Sequence, residues 1–95
     1  MNQSINEFYN KSGAVLLDVR TPYEYREGHI PGSWNIPLQS LEKIRNMIMD
    51  RKTPLYVYCR SGARSSQAVS MLGQMGYTDV KNIGGIISYS GKVVV

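Results

Sequence analysis

The sequence has few side chains that bind metals or form disulfides, since its 95 residues include one cysteine and one histidine. A single cysteine, Cys59, cannot form a disulfide within the chain, which excludes the small disulfide-rich secreted folds. It also leaves no second thiol in the chain to resolve an oxidised Cys59. Cys59 and the one histidine, His29, form no cluster with metal-ligand spacing, so we expect neither a metal ion nor an organic cofactor.

Long apolar runs are missing as well. No segment approaches the roughly 20 apolar residues that a membrane helix needs, and residues 1–7 lack the basic and apolar regions of a signal peptide. We therefore expect a cytoplasmic protein without a membrane partner. The chain has 95 residues, of which 42% are hydrophobic and 19% charged, and this composition predicts a single folded domain over residues 1–95.

Clustered positive charge is also scarce, although the formal net charge is +4. Apart from Arg60 and Arg64, the lysines and arginines are scattered, unlike the basic patches of nucleic-acid-binding proteins. We expect no nucleic-acid partner, and we expect a monomer. The excess charge would help to attract small anions, although a solvated basic surface explains it equally well.

The apolar runs that are present predict short strands. They cover residues 14–19, 55–59 and 79–83, and a further short strand is expected within 28–37. The continuous run at 14–19 is typical of strands that are covered on both faces, as in a parallel sheet. Helical patterns separate these runs. The sequence therefore predicts an α/β fold, with a mostly parallel sheet of four to five strands and helices on both faces.

Capping residues and apolar spacing predict the helices between these strands. Ser4 is expected to cap a helix from Ile5 to about Asn10. Thr21 and Pro22 predict the N-cap and first turn of a second helix, which Gly28 ends. Residues 38–48 show near-helical spacing, and a helical pattern at 68–75 is followed by a glycine in the C′ position.

The stretch 55–65 combines a strand, a tight polar loop and the start of a helix. Backbone N–H groups of such a loop converge on one point, with the positive end of the helix dipole behind them. Cys59 lies at the mouth of the loop. Amide dipoles and the nearby arginines favour a charged sulfur, so we expect the pKa of Cys59 to lie below that of a free cysteine. The stretch is a candidate anion-binding site with a nucleophile at its edge.

The residues that follow Cys59 divide into backbone and side-chain roles. We expect Gly62 to adopt a conformation that is costly for other residues. Ser65 is either a further anion-binding N–H or the N-cap of the helix, or both. Arg64 binds the substrate anion or caps a neighbouring carbonyl, and we favour the first role. Arg60 is expected to point away from the loop and to set substrate preference. The residues expected to bind the anion through backbone N–H groups are Ser61, Gly62, Ala63 and Ser65.

Residues 59–64 read Cys-Arg-Ser-Gly-Ala-Arg, which resembles the active-site loop of the rhodanese family of sulfurtransferases. A second motif precedes it in residues 16–37, with Leu-Leu-Asp-Val-Arg, Glu-Tyr and Gly-His-Ile-Pro-Gly-Ser-Trp-Asn-Ile-Pro in order. The resemblance covers about residues 14–86 and implies a three-layer rhodanese-like fold. Similar loops of phosphatases and arsenate reductases carry one more residue between Cys and Arg. The shorter loop favours a persulfide sulfur over a tetrahedral oxyanion.

The resemblance implies that Cys59 is the catalytic residue of a thiosulfate:cyanide-type sulfurtransferase and carries sulfur as a persulfide. A small anion such as thiosulfate would donate the sulfur, and cyanide, a thiol or another protein would accept it. Arg60 beside the cysteine fits dianionic thiosulfate better than a keto-acid donor. Two alternatives stay open. One is a rhodanese-like binding module in which Cys59 is inactive or only relays sulfur. The other is a phosphatase or arsenate reductase, disfavoured by the loop length and the single cysteine.

Other residues of the two motifs are expected to belong to the framework. His29 is expected to fix its loop by hydrogen bonds and not to act as a general base, because a stabilised thiolate needs none. Asp18 is expected to be buried and paired, with Arg20 as a framework residue beside it. The sequence departs from the family after the glycine pair at 84–85, since Tyr89 lies where rhodanese domains usually have a tryptophan.

Overall fold

The computed structural model describes all 95 residues, which form one four-stranded sheet with helices on both faces. The strands are β1 (Val15–Asp18), β2 (Ser33–Asn35), β3 (Leu55–Cys59) and β4 (Val80–Gly85). They lie in the order β2-β1-β3-β4, and every neighbouring pair is parallel. The α/β fold predicted from the sequence is confirmed, with four strands and no antiparallel pair among them.

Four α-helices and two 3₁₀ helices surround the sheet. The α-helices are α1 (Asn2–Tyr9), α2 (Pro22–Glu27), α3 (Ile44–Met47) and α4 (Ala63–Gln74), and the 3₁₀ helices are Leu38–Lys43 and Ile86–Ser88. The Thr21 cap of α2 is confirmed, and Glu24 completes it by accepting from the Thr21 N–H. None of these helices has both the length and the apolar character that a membrane crossing requires.

The core forms on both faces of β1 and β3 because consecutive side chains of a strand point in opposite directions. On one face, Leu17, Val57 and Cys59 pack with apolar residues of α3 and α4. On the other face, Leu16 and Tyr56 pack with apolar residues of α1 and β4. All five residues of β3 are buried, which fixes the position of the loop that follows it.

The expected Ser4 cap is wrong, the alternative of Ser65 as a helix cap is excluded, and one expected helix is divided. Helix α1 begins at Asn2, with Met1 as its N-cap, so Ser4 lies inside the helix and does not cap it. Helix α4 begins at Ala63, and Gly62 is its N-cap, so Ser65 is a residue of the first turn. The helical spacing at 38–48 corresponds to a 3₁₀ helix, which is kinked at Ser40, followed directly by the single turn of α3.

The framework residues of the first motif form a buried ion pair. The Nη2 and Nε atoms of Arg20 donate to the carboxylate of Asp18, at 2.6 Å and 3.0 Å. The same guanidinium donates to the carbonyl oxygen of Gly28 at 2.8 Å. A buried carboxylate is costly unless it is paired, and this pairing joins the end of β1 to the end of α2. The predicted burial and pairing of Asp18 are confirmed.

The segment after β4 folds back onto the domain. Tyr89 is partly buried against the cluster that contains Leu16 and Tyr56. Val94 exchanges two backbone hydrogen bonds with His29, of 2.8 Å and 2.9 Å. The tyrosine therefore packs against the core from the position where the family usually has a tryptophan.

Candidate active site

The candidate site is the Cys59 loop, residues 59–65, which connects β3 to α4. Strand β3 lies between β1 and β4, so its carboxyl end is central to the sheet, where α/β folds bind ligands. Gly62 closes the turn as the N-cap of α4, with φ +109°. Residues with a Cβ rarely adopt this backbone conformation, so the conformation predicted for Gly62 is confirmed, while its anion-binding role stays a prediction. The turn directs the first N–H groups of α4 toward Cys59.

Hydrogen-bond donors surround the sulfur of Cys59, which is 1% exposed. The N–H of Gly62 donates to Sγ at 3.0 Å, and the hydroxyl oxygen of Ser65 lies 3.4 Å from Sγ. Burial alone raises the pKa of this thiol, but hydrogen bonds from Ser65, Gly62 and Ser61 outweigh it and lower the pKa below its ordinary value. The Cys59 loop therefore stabilises a thiolate chiefly with neutral donors.

Arg64 forms an ion pair that was not foreseen. Its Nη1 and Nη2 atoms donate to the two carboxylate oxygens of Glu24 in α2, at 2.7 Å and 2.9 Å. The guanidinium thus neither caps a carbonyl nor extends free toward an incoming anion. This pairing, together with the Thr21 hydrogen bonds, lowers the pKa of Glu24 to about 2. An anion-binding role for Arg64 stays a prediction, and it would require sharing the guanidinium with Glu24.

The other predicted site residues lie at the rim of the loop. Arg60, Ser61 and Ala63 are exposed, and Gly62 is partly buried. No carboxylate pairs with Arg60, which leaves its charge available to an anion approaching Cys59. The structure therefore brings all the predicted residues to one loop, with Arg60 as its unneutralised cation.

Gly85 supports the loop from beneath. A Cβ atom built at this position would lie 2.2 Å from the carbonyl oxygen of Arg60 and 2.4 Å from the Cα of Ser61. The two backbone segments touch, and only glycine permits that approach. Gly85 pairs with Cys59 in the sheet, because a register shift after Val57 places it there.

His29 lies in the framework and not in the Cys59 loop. Its ring stacks on Tyr25 with centroids 3.6 Å apart, and its Nδ1 lies 2.8 Å from the Tyr25 carbonyl oxygen. These contacts agree with the structural role expected for His29. The structure contains no group of three or more side chains of the histidine, cysteine, aspartate and glutamate types that could hold a metal ion.

Three contributors to the site were not identified from the sequence: Glu24, Asn82 and Gly85. Glu24 reaches Arg64 across 40 positions, and Asn82 reaches Ser65 across 17, at 2.7 Å. No local pattern encodes such pairs. The only available signal was the glycine pair at 84–85, since consecutive glycines at the end of a strand indicate a close backbone approach.

Comparison with known proteins agrees with this geometry. The sequence matches the rhodanese-like domain family over residues 2–92. The thiosulfate sulfurtransferase PspE of Escherichia coli is 42% identical over 71 residues, covering 74% of this chain and 68% of that protein. A sulfurtransferase of Allochromatium vinosum is 43% identical over 77 residues, covering 80% of this chain and 71% of that protein.

A solved structure described as rhodanese with anions from E. coli matches with a TM-score of 0.79 and 38% identity, covering 85% of this chain and 96% of that chain. Fold, loop and sequence thus point to the same group of proteins, one that includes named sulfurtransferases. The chain belongs to the rhodanese-like domain family.

Proposed function

We propose that this protein transfers sulfane sulfur from a small anionic donor, such as thiosulfate, to a thiophilic acceptor through a persulfide on Cys59. The observation that carries the proposal is the set of donors around the sulfur: the Gly62 N–H at 3.0 Å and the Ser65 hydroxyl at 3.4 Å. A thiolate is the nucleophilic form of cysteine, and these donors favour it without a general base.

In the first step, the Cys59 thiolate attacks the outer sulfur of thiosulfate. A bond forms between Sγ and that sulfur, the sulfur–sulfur bond of thiosulfate breaks, and sulfite leaves with the electron pair. The negative charge moves from Sγ to the new terminal sulfur. Amide N–H groups of the Cys59 loop and the positive end of α4 favour a negative charge at this place. Arg60 supplies the cation that attracts the dianion.

In the second step, the acceptor attacks the terminal sulfur. With cyanide, a carbon–sulfur bond forms, the Cys59 persulfide bond breaks, and thiocyanate leaves. The Cys59 thiolate is regenerated with the electron pair of the broken bond, so the cycle needs no external oxidant or reductant. A thiol or a protein thiolate would accept the sulfur by the same displacement.

Intact-mass measurement after thiosulfate treatment tests the proposal. The wild-type protein should gain one sulfur atom, which dithiothreitol or cyanide removes. Cys59→Ser should gain none. A matched control moves the thiol, since Cys59→Ser combined with Ser61→Cys keeps one cysteine in the chain but places it at an exposed position. Uptake by this control equal to wild type would show that any thiol suffices and would contradict a role for the Cys59 loop.

Steady-state assays separate turnover from the alternatives. A sulfurtransferase should release thiocyanate over many cycles with thiosulfate and cyanide. A sulfur relay would load once and release sulfur only to a protein acceptor. A phosphatase would hydrolyse an aryl phosphate and take up no sulfur, and that result would overturn the proposal.

A further inference from the structure

The hydroxyl group of Ser65 lies among three acceptors but has one proton to donate. Its oxygen is 2.7 Å from the Asn82 side-chain oxygen, 3.0 Å from the Gly62 carbonyl oxygen and 3.4 Å from the Cys59 sulfur. The shortest of the three contacts is the one to Asn82, a residue of β4 that makes no hydrogen bond to the sulfur. The Ser65 proton is therefore shared unequally.

The Asn82 amide is held in one orientation. Its Oδ1 accepts the Gly84 N–H at 3.0 Å, and its Nδ2 donates to the Gly62 carbonyl oxygen at 3.3 Å. Exchanging the two atoms would place a donor against a donor and an acceptor against an acceptor. Oδ1 consequently faces Ser65. Two oxygens 2.7 Å apart need a proton between them, and only the serine can supply it.

The hydrogen bond from Ser65 to Asn82 favours a neutral Cys59 sulfur and so opposes the N–H groups of the Cys59 loop, which favour the thiolate. While the hydroxyl donates to Asn82, the Ser65 oxygen presents lone pairs to the sulfur, which a thiol S–H can use and a thiolate cannot. When Cys59 ionises, the hydroxyl must turn toward the sulfur. Its oxygen then faces the Asn82 oxygen without a proton between them. The Asn82 oxygen and the Cys59 sulfur therefore compete for the Ser65 proton.

We propose that Asn82 is a positioning residue that limits the ionisation of Cys59 by competing with its sulfur for the single proton of the Ser65 hydroxyl. The meaning of this competition for catalysis rests on the proposed sulfur transfer. In the persulfide, the charge lies on the outer sulfur and Sγ is neutral, so the hydroxyl can return to Asn82. Asn82 thus favours the sulfur-loaded form over the thiolate, while the serine proton stays on its oxygen throughout.

Arg60, next to Cys59, has no carboxylate partner and is kept in every variant, whereas the other charged groups on the elements around the Cys59 loop are paired. On the α4 side, Arg64 pairs with Glu24 of α2. Asp18 of β1 pairs with Arg20. On β4, Lys81 pairs with Glu7 of α1. The neutral Ser65 and Asn82 side chains can therefore be varied while these ion pairs are kept.

A double-mutant cycle read by the ultraviolet absorbance of the Cys59 thiolate tests the proposal, with Cys59→Ser as the blank. Asn82→Ala should lower the titration midpoint of Cys59 by roughly half to one pKa unit, the size of the ordinary hydrogen bond between Ser65 and Asn82 that the substitution removes. In the Ser65→Ala background, Asn82→Ala should cause no shift. Asn46→Ala, an exposed asparagine of α3, is the control and should also cause none.

Each other outcome overturns the proposal. An equal shift in both backgrounds would mean that Asn82 acts through the backbone, and an upward or absent shift would mean that no competition exists. If Asn82→Ala does not fold, Asn82→Asp replaces it. This variant keeps the acceptor and should raise the midpoint more with Ser65 present than with Ser65→Ala. An equal rise would reflect charge alone. The thiolate titration needs no sulfur donor, so it tests the competition between Asn82 and Cys59 even if the protein takes up no sulfur from thiosulfate.

Discussion

The guanidinium of Arg64 and the carboxylate of Glu24 form a two-pronged ion pair, with N–O distances of 2.7 Å and 2.9 Å. It joins the first turn of α4 to the first turn of α2. Glu24 also accepts from the Thr21 N–H at 3.0 Å, so one carboxylate both caps its own helix and ties it to the Cys59 loop. The position of α2 is thereby coupled to the position of the Cys59 loop.

Removing the charge of Glu24 should weaken folding in a pH-dependent way. Glu24 has a pKa of about 2 in the folded protein against an ordinary value of 4.5. The pairing therefore stabilises the fold fully above pH 4.5, and its contribution is lost as the pH falls toward about 2. Glu24→Gln should lower the free energy of unfolding by about 1 kcal/mol at neutral pH. Urea denaturation at several pH values measures the difference from wild type, which should shrink in acid.

The matched control for this prediction is Glu27→Gln, because Glu27 lies exposed in the same helix. It should change the free energy of unfolding little at any pH. A deficit of Glu24→Gln that stays constant down to pH 2 would contradict the pairing as its cause.

Adding one methyl group at Gly85 should displace the Cys59 loop. The new Cβ would lie 2.2 Å from the Arg60 carbonyl oxygen, which is backbone and cannot rotate away. We expect Gly85→Ala to destabilise the fold by about 1–3 kcal/mol and to slow sulfur uptake at least about tenfold, because the donors no longer converge on the sulfur. Single-turnover uptake of sulfur from thiosulfate measures the effect.

Gly73 provides the comparison for Gly85→Ala. It lies in α4, where an added Cβ meets nothing within 4 Å, so Gly73→Ala should stabilise the helix and leave uptake unchanged. Wild-type uptake by Gly85→Ala would mean that the loop can shift without losing its function.

The ionisation of Cys59 should depend little on salt. Hydrogen bonds from Ser61, Gly62 and Ser65 lower its pKa, and short contacts of a buried sulfur are poorly screened. The thiolate titration midpoint should lie below that of the unfolded chain and should move little between low and high ionic strength. Arg60→Ala should also leave it nearly unchanged. A strong rise of the midpoint with salt would instead indicate that the arginines dominate.

The length of the Cys59 loop should decide which ligand it binds, and the charge of Arg60 should decide how well it uses thiosulfate. Inserting a glycine after Gly62 widens the loop, so it should lower sulfur transfer and raise the affinity for tetrahedral oxyanions. Arg60→Ala keeps the length of the Cys59 loop, and it should weaken thiosulfate use without raising the affinity for tetrahedral oxyanions. The extent to which vanadate protects Cys59 from an alkylating reagent measures that affinity. Equal protection of the wild-type and widened loops would show that loop length does not select the ligand.

The sequence predicted those strands and helices that are determined by a few consecutive residues. The buried strand β3 follows from a continuous apolar and aromatic run, and α2 follows from Thr21 and Pro22, whose chemistry fits a helix start. The cap predicted at Ser4 is wrong because the capping pattern is a local signal, whereas the start of α1 depends on contacts with the rest of the fold. Ile5 packs against the sheet, and α1 begins before Ser4, with the Ile5 N–H donating to the Met1 carbonyl oxygen at 3.0 Å.

Contacts between distant segments could not be predicted. Cys59 and its loop were found because the residues are consecutive. The partners that hold the loop in place, such as Glu24 on Arg64 and Asn82 on Ser65, depend on how β1 and β4 are positioned beside β3. One residue of register shift in β4 decides that Gly85 and not Gly84 lies beside Cys59. Such a shift has no signature in composition or periodicity.

The near-complete burial of Cys59 limits the side reactions of an unpaired thiol. A disulfide between two copies requires their Cβ atoms to approach within about 3.8 Å, and such an approach is hindered at Cys59 because this residue is only 1% exposed. In the proposed Cys59 persulfide, the outer sulfur would extend about 2 Å beyond Sγ. We therefore expect the protein to resist covalent dimerisation in air, and we expect its sulfur to become accessible to a large acceptor only in the proposed persulfide.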